Sequence, residues 1–255
     1  IRVLEIMKEA AHSPIEKPVK SMGGLIGGEA QKLSLHSQEK NRLCGDLLQK
    51  ALTYAMATLE TNASMGLIVA SPTAGSAGIV PGLMLAMQEH YHFSDDQIIQ
   101  ALFNASAIGY LAMRNATVAG AVGGCQAEVG VASAMAASAA VELMGGTPKE
   151  STYAASTVLM NMLGLVCDPV GGLVEYPYAL TAYMTCFTCR WCDSTSAHCS
   201  FTQFSRKLPA YCKHSLYHFI QRNQLADSGK SHLSSDQGDG NTGSIAVLAG
   251  IFYQP

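Results

Sequence analysis

Between Gly45 and Ser64 the chain sets Leu47, Leu48, Ala51, Leu52, Ala55, Met56 and Leu59 three and four positions apart. That spacing lines one face of an α-helix and predicts one over GDLLQKALTYAMATLETNAS. Two more helices mark their own starts. In SDDQ, residues 94–97, Ser94 is placed as N-cap and Gln97 closes a capping box, so a helix should continue through IIQALFNASAIGYLAMRNA. TPKE at 147–150 repeats the device with Thr147 and Glu150, adds Pro148 at the first helical position, and leads into STYAASTVLMNMLGLV. The stretch 116–143 is built from Ala, Val, Ser and Gly. It predicts a central helix whose small side chains let neighbouring backbones come close. SMGGLIGGEAQK (21–32) and SPTAGSAGIVPG (71–82) read as loops on their glycines. No run alternates apolar and polar positions with the strand period. The expected fold class is all-α: a single helical domain over residues 1–177, followed by an irregular tail over 178–255.

Composition sharpens this picture. Of the 255 residues, 48% are hydrophobic and 14% charged, which argues against disorder in the body and for a surface partly given to a partner. The net charge of −3 leaves no basic footprint, so nucleic acid is not an expected partner. GIVPGLMLAM is too short and too interrupted to cross a bilayer, and no secretory leader pattern opens the chain. No membrane association and a cytoplasmic location are expected. After Pro177 the small-residue helical style stops, and LADSGKSHLSSDQGDGNTGS has the composition of a segment of low order.

The candidate chemistry lies in three places. GGCQAEVG (123–130) puts Cys125, Gln126 and Glu128 into an otherwise apolar stretch, and VCDPVGGLVEYP carries Cys167 beside Asp168 and two glycines. A lone cysteine is usually a small buried hydrophobe, but glycine on either side of these two admits a bulky group close to the backbone. SPTAGSAG can be a helix-start loop in which Ser71 or Thr73 is only a cap. It can equally be an anion cradle of hydroxyls and backbone N–H groups. Cys186, Cys189 and Cys192 form a C-x-x-C-x-x-C run, but Cys199 lies too far along for the ferredoxin spacing and no proline follows it. A metal site there is the weaker reading, because such short matches arise freely.

Taken together, SMGGLIGGEAQKL, NASMGLIVASPTAGSAGIVPG, RNATVAGAVGGCQAEVGVASAMAASAAVELMGG and LVCDPVGGLVEYP resemble the α chain, or catalytic domain, of iron–sulfur-dependent L-serine dehydratase. The resemblance covers roughly residues 1–177. It implies a helical catalytic domain holding a [4Fe–4S] cluster on three cysteines. The open iron acts as a Lewis acid on the hydroxyl of L-serine, and elimination leads to pyruvate and ammonia without pyridoxal phosphate. It further implies that Cys125 and Cys167 are the first and second cluster ligands. Ser71, Thr73, Gly75 and Ser76 would hold the substrate carboxylate, and a separate β chain would be the partner. No residue identifies itself as the base for the α-proton.

The third ligand of that family falls eleven residues after the second, where this chain has Tyr178. Its loss coincides with the change in composition, from which a shift of reading frame near codon 178 is expected. Two function classes follow: a dehydratase catalytic subunit impaired at its third ligand, or an inactive helical module that keeps its fold or its partner. A metal-binding protein using the tail cysteines is a third.

Overall fold

The structure is a computed structural model, and it describes residues 1–38 and 45–162. Seven helices run in order among the described residues: α1 (Arg2–Glu16), α2 (Glu29–His36), α3 (Asp46–Ala63), α4 (Ile79–Tyr91), α5 (Asp95–Asn115), α6 (Gly120–Leu143) and α7 (Pro148–Asn161). No strand occurs among these residues, as the all-α expectation required. Residues 163–255, and with them Cys167, Tyr178 and the expected boundary after residue 177, lie outside the described residues.

Both capping boxes form. The Gln97 N–H donates to Ser94 Oγ at 3.3 Å and the Ser94 N–H donates to Gln97 Oε1 at 2.9 Å. At α7 the Glu150 N–H donates to Thr147 Oγ1 at 3.3 Å and the Thr147 N–H to Glu150 Oε2 at 2.8 Å. Two groups that a helix start leaves unpaired are satisfied each time. α6 is apolar around most of its circumference, with few polar side chains, and such a helix belongs inside a protein. It packs against α4, α5 and α7, while α3 packs against α1, α2 and α4. Ile79, Val80, Leu83, Met84 and Met87 of α4 are all buried at this junction, each worth about 1.5–3 kcal/mol relative to an exposed side chain.

Glycine brings α3 and α4 together. A Cβ on Gly82 would stand 2.9 Å from the Ala51 carbonyl oxygen and 2.9 Å from Ala55 Cβ. This also corrects the sequence reading of 71–82, since Ile79, Val80, Pro81 and Gly82 are helical. Pro81 sits in the first turn, where its missing N–H would have had no helical partner. Likewise 29–32 belongs to α2, so the loop ends with its last glycine, Gly28. The central helix begins at Gly120, four residues later than expected, and it is broken at Gly124.

Candidate functional site

The loop between α3 and α4 carries SPTAGS. It is fixed from its own backbone: Ser71 N–H donates to the Thr73 carbonyl at 3.3 Å, and Ala77 N–H to the Ala74 carbonyl at 3.2 Å. Asn62 Nδ2, near the end of α3, donates to the Ala74 carbonyl at 3.0 Å. The Ser71–Pro72 peptide is cis. Ser71 and Ser76 are buried, and Gly75 between them is half-buried. Ser71 Oγ is shut away from solvent with no hydrogen-bond partner among the described residues. A buried hydroxyl in that condition costs about 1–3 kcal/mol, which suits a group shaped to meet a polar ligand atom.

GGCQAEVG lies inside α6. Gly124 has φ 76° and ψ 162°, values open essentially to glycine alone, and they divide α6 into two segments. Cys125 therefore stands at the start of the second segment, half-buried and packed against the main core. A helix start favours an anionic side chain. Glu128 follows one turn later, on the same face.

These two motifs meet. The Thr73 hydroxyl donates to Glu128 Oε1 across 55 positions of sequence. Thr73 Oγ1 also lies 3.1 Å from Ser76 Oγ, which approaches the Ser71 carbonyl at 3.4 Å. An ionised carboxylate only accepts, so Thr73 gives its single proton to Glu128 and Ser76 donates to Thr73. The other oxygen of Glu128 is close against α6's first residue: a Cβ on Gly120 would stand 2.7 Å from Glu128 Oε2. The arrangement is a short relay of hydroxyls running from a buried loop to a carboxylate one turn from a cysteine.

Of the residues expected at the site, Ser71, Thr73, Gly75 and Ser76 share one loop, and Thr73 is joined to the cysteine helix through Glu128. Cys125 lies on that helix. Cys167 lies outside the described residues. Among the described residues no group of three or more His, Cys, Asp or Glu side chains is placed to hold a metal. The donor chemistry nevertheless suits a cluster corner: Cys125 offers sulfur at a helix start, directly after the glycine that breaks α6. The role of Glu128 as the bridge was not legible in the sequence. Its polarity within an apolar helix set it apart, but nothing in the spacing paired it with Thr73.

A second polar group was missed altogether. Glu89 of α4 accepts from Lys50 Nζ and from the Tyr54 hydroxyl, each at 2.5 Å, and His12 Nε2 of α1 lies 3.5 Å away. Burial works to raise the Glu89 carboxyl, but the hydrogen bonds from Lys50, Tyr54 and His12 hold it below the usual glutamate range. Burial and the adjoining Glu89 push the Tyr54 phenol well above its ordinary value. These residues line a cavity of about 610 Å³. They are spread over three helices, so no local pattern announces them.

Fold and site together define an all-helical protein with a hydroxyl-lined loop set against a cysteine-bearing helix. Residues 1–186 match the family described as serine dehydratase alpha chain. The chain is 51% identical over 174 residues to a probable L-serine dehydratase, alpha chain, of Bacillus subtilis, covering 68% of this chain and 58% of that one. It is 44% identical over 175 residues to the L-serine dehydratase, alpha chain, of Peptoniphilus asaccharolyticus, covering 69% and 60%. An L-serine dehydratase of Streptomyces coelicolor is 39% identical over 174 residues, covering 64% of this chain and 37% of that one. The chain belongs to the serine dehydratase alpha chain family. It spans about three fifths of the length of the two alpha chains it matches.

Proposed function

We propose that this chain is the catalytic subunit of an L-serine dehydratase, which removes water from L-serine and yields pyruvate and ammonia. The observation that carries the reading is the hydrogen bond from Thr73 to Glu128, because it joins the loop suited to a carboxylate to the helix that bears Cys125. The names of the alpha-chain relatives support the substrate. Ser71, Thr73 and Ser76 offer hydroxyls, and the loop leading into α4 offers backbone N–H groups, for the serine carboxylate. Ser71 Oγ, buried without a partner among the described residues, is the donor best suited to a ligand oxygen. Cys125 and Cys167 are proposed to hold a [4Fe–4S] cluster. When bound, that cluster supplies a Lewis-acidic iron for the departing serine hydroxyl. The elimination leaves an enamine, which tautomerises and hydrolyses.

The proposed partner is a β chain. Support comes from the alpha-chain character of the family and from α5, whose Phe103, Tyr110 and Met113 are 67%, 58% and 59% exposed. Such a row of apolar side chains suits burial against another chain.

Tyr178 stands where the third cluster cysteine is expected. A phenolate is a poor replacement for a thiolate in a cluster normally held by cysteines. Two thiolates leave two irons open to loss and to oxygen, so weak cluster retention is proposed for this chain. That residue is also what favours the second reading, an inactive helical module keeping its fold and partner. Anaerobic cluster reconstitution with the β chain present, followed by iron counting and a serine-to-pyruvate assay, separates the two. Pyruvate release supports the dehydratase. Iron-free protein with no turnover, for the unaltered chain and for Tyr178→Cys alike, supports the inactive module.

A further inference from the structure

Glu128 contacts the substrate loop, yet a carboxylate is the wrong charge to hold another carboxylate. From Gln97 to Val141 it is the one acidic residue, and none occurs between Thr61 and Gln88. It is thus the single negative charge that these stretches bring to the loop. Its position is fixed from two sides: Thr73 donates to Oε1, and Oε2 lies so near Gly120 that a side chain there would collide with it.

The substrate proposed above is a zwitterion. Its carboxylate needs hydroxyl and N–H donors, which SPTAGS supplies. Its ammonium, one carbon away, is best met by an anionic acceptor, and SPTAGS contains no acidic residue. We propose that Glu128 is the residue that recognises the ammonium group of the substrate and so selects α-amino acids over other small carboxylic acids; this rests on the dehydratase reading. The binding step is an exchange. Without substrate, the Thr73 proton is spent on Glu128. When the amino acid enters, that proton turns to the substrate carboxylate, and Glu128 accepts from the substrate ammonium instead. The Thr73 donor is redirected rather than lost, the ammonium charge sits against Glu128, and the substrate carboxylate is met by neutral hydroxyl and N–H donors. A carboxylic acid without the ammonium takes the Thr73 proton and brings a second negative charge beside Glu128 with no cation of its own. Glu128 is in this sense a specificity-determining residue, and the Thr73 hydroxyl is the element it shares with the substrate.

The test is calorimetric binding of two probes to the full chain with its β chain: L-serine, and L-glycerate, which carries a hydroxyl in place of the ammonium. The unaltered protein should bind L-serine more tightly than L-glycerate. Glu128→Gln keeps the shape and removes the charge, and it should weaken L-serine binding roughly 10- to 100-fold, the usual worth of a charge-assisted hydrogen bond. It should leave L-glycerate binding equal or tighter. Glu128→Asp, which retains the charge, should recover part of the discrimination. Thr73→Val should weaken both ligands. If Glu128→Gln weakens both probes alike, or spares L-serine, the assignment is wrong while the dehydratase reading stands. If the unaltered protein binds neither probe, the dehydratase reading fails and the assignment fails with it.

Discussion

Glu60 enters the core from α3 with Oε1 accepting the Ala30 N–H at 2.9 Å, while Oε2 is buried without a partner among the described residues. Burial raises its carboxyl above the usual glutamate range, against the lowering effect of N–H groups from Ala30, Gly28 and Glu29 at the start of α2. A carboxyl whose native pKa is raised binds more protons folded than unfolded. Its contribution is therefore fully present below the ordinary glutamate pKa and is lost as pH rises through the raised native value. Urea unfolding across that window should show stability falling with pH, and Glu60→Gln should flatten the slope; an unchanged slope would remove Glu60 from the account. Glu60→Ala should cost about 1–3 kcal/mol at any pH, because it strands the N–H groups at the start of α2. None of this was legible in LETNAS, where Glu60 resembles any polar residue near a helix end. Burial decides its character, and its N–H partner Ala30 stands thirty positions away in the chain. Cys125 and SPTAGS stood out as candidates in the sequence, because glycine beside a reactive side chain leaves a local trace.

Helix boundaries were legible where a side chain closes its own backbone. Ser94 and Thr147 cap α5 and α7 as their sequences predict, and removing either side chain by an alanine substitution should cost about 0.5–2 kcal/mol in chemical denaturation, with glycine costing only a few tenths. Boundaries were misread where glycine serves packing rather than a turn. The helical position 82 is glycine because α3 comes too close for a side chain, so Gly82→Val should destabilise the protein by forcing Ala51 and Ala55 away. At Gly124 the backbone itself is the reason. Gly124→Ala places a side chain in a glycine-only conformation, at a cost of about 1–3 kcal/mol. It should also re-aim Cys125, so a larger loss in iron retention than in thermal stability is expected. Equal losses would show that the break in α6 serves folding alone.

The whole molecule places its chemistry by crossing elements. α6 is surrounded by α4, α5 and α7, and the loop leading into α4 reaches its side at Glu128. A contact across 55 positions is a product of packing, and no sequence window contains both ends. The same holds for the Glu89 group shared by α1, α3 and α4. The tail is a different case, since its change of style after Pro177 is itself a sequence observation. Translation of the other two frames of the gene should yield a C-x-x-R-N continuation near codon 178, and its absence from both would end the proposal of a shifted frame. The central claim is that SPTAGS and Cys125 face one site, the loop binding the substrate beside the cysteine. The most direct measurement is the alkylation rate of Cys125 in the cluster-free protein, followed by peptide mass spectrometry with and without L-serine. The account predicts that L-serine slows modification of Cys125 several-fold and that Thr73→Val abolishes this protection. An alkylation rate at Cys125 indifferent to saturating L-serine, in a protein shown to bind it, would contradict the account.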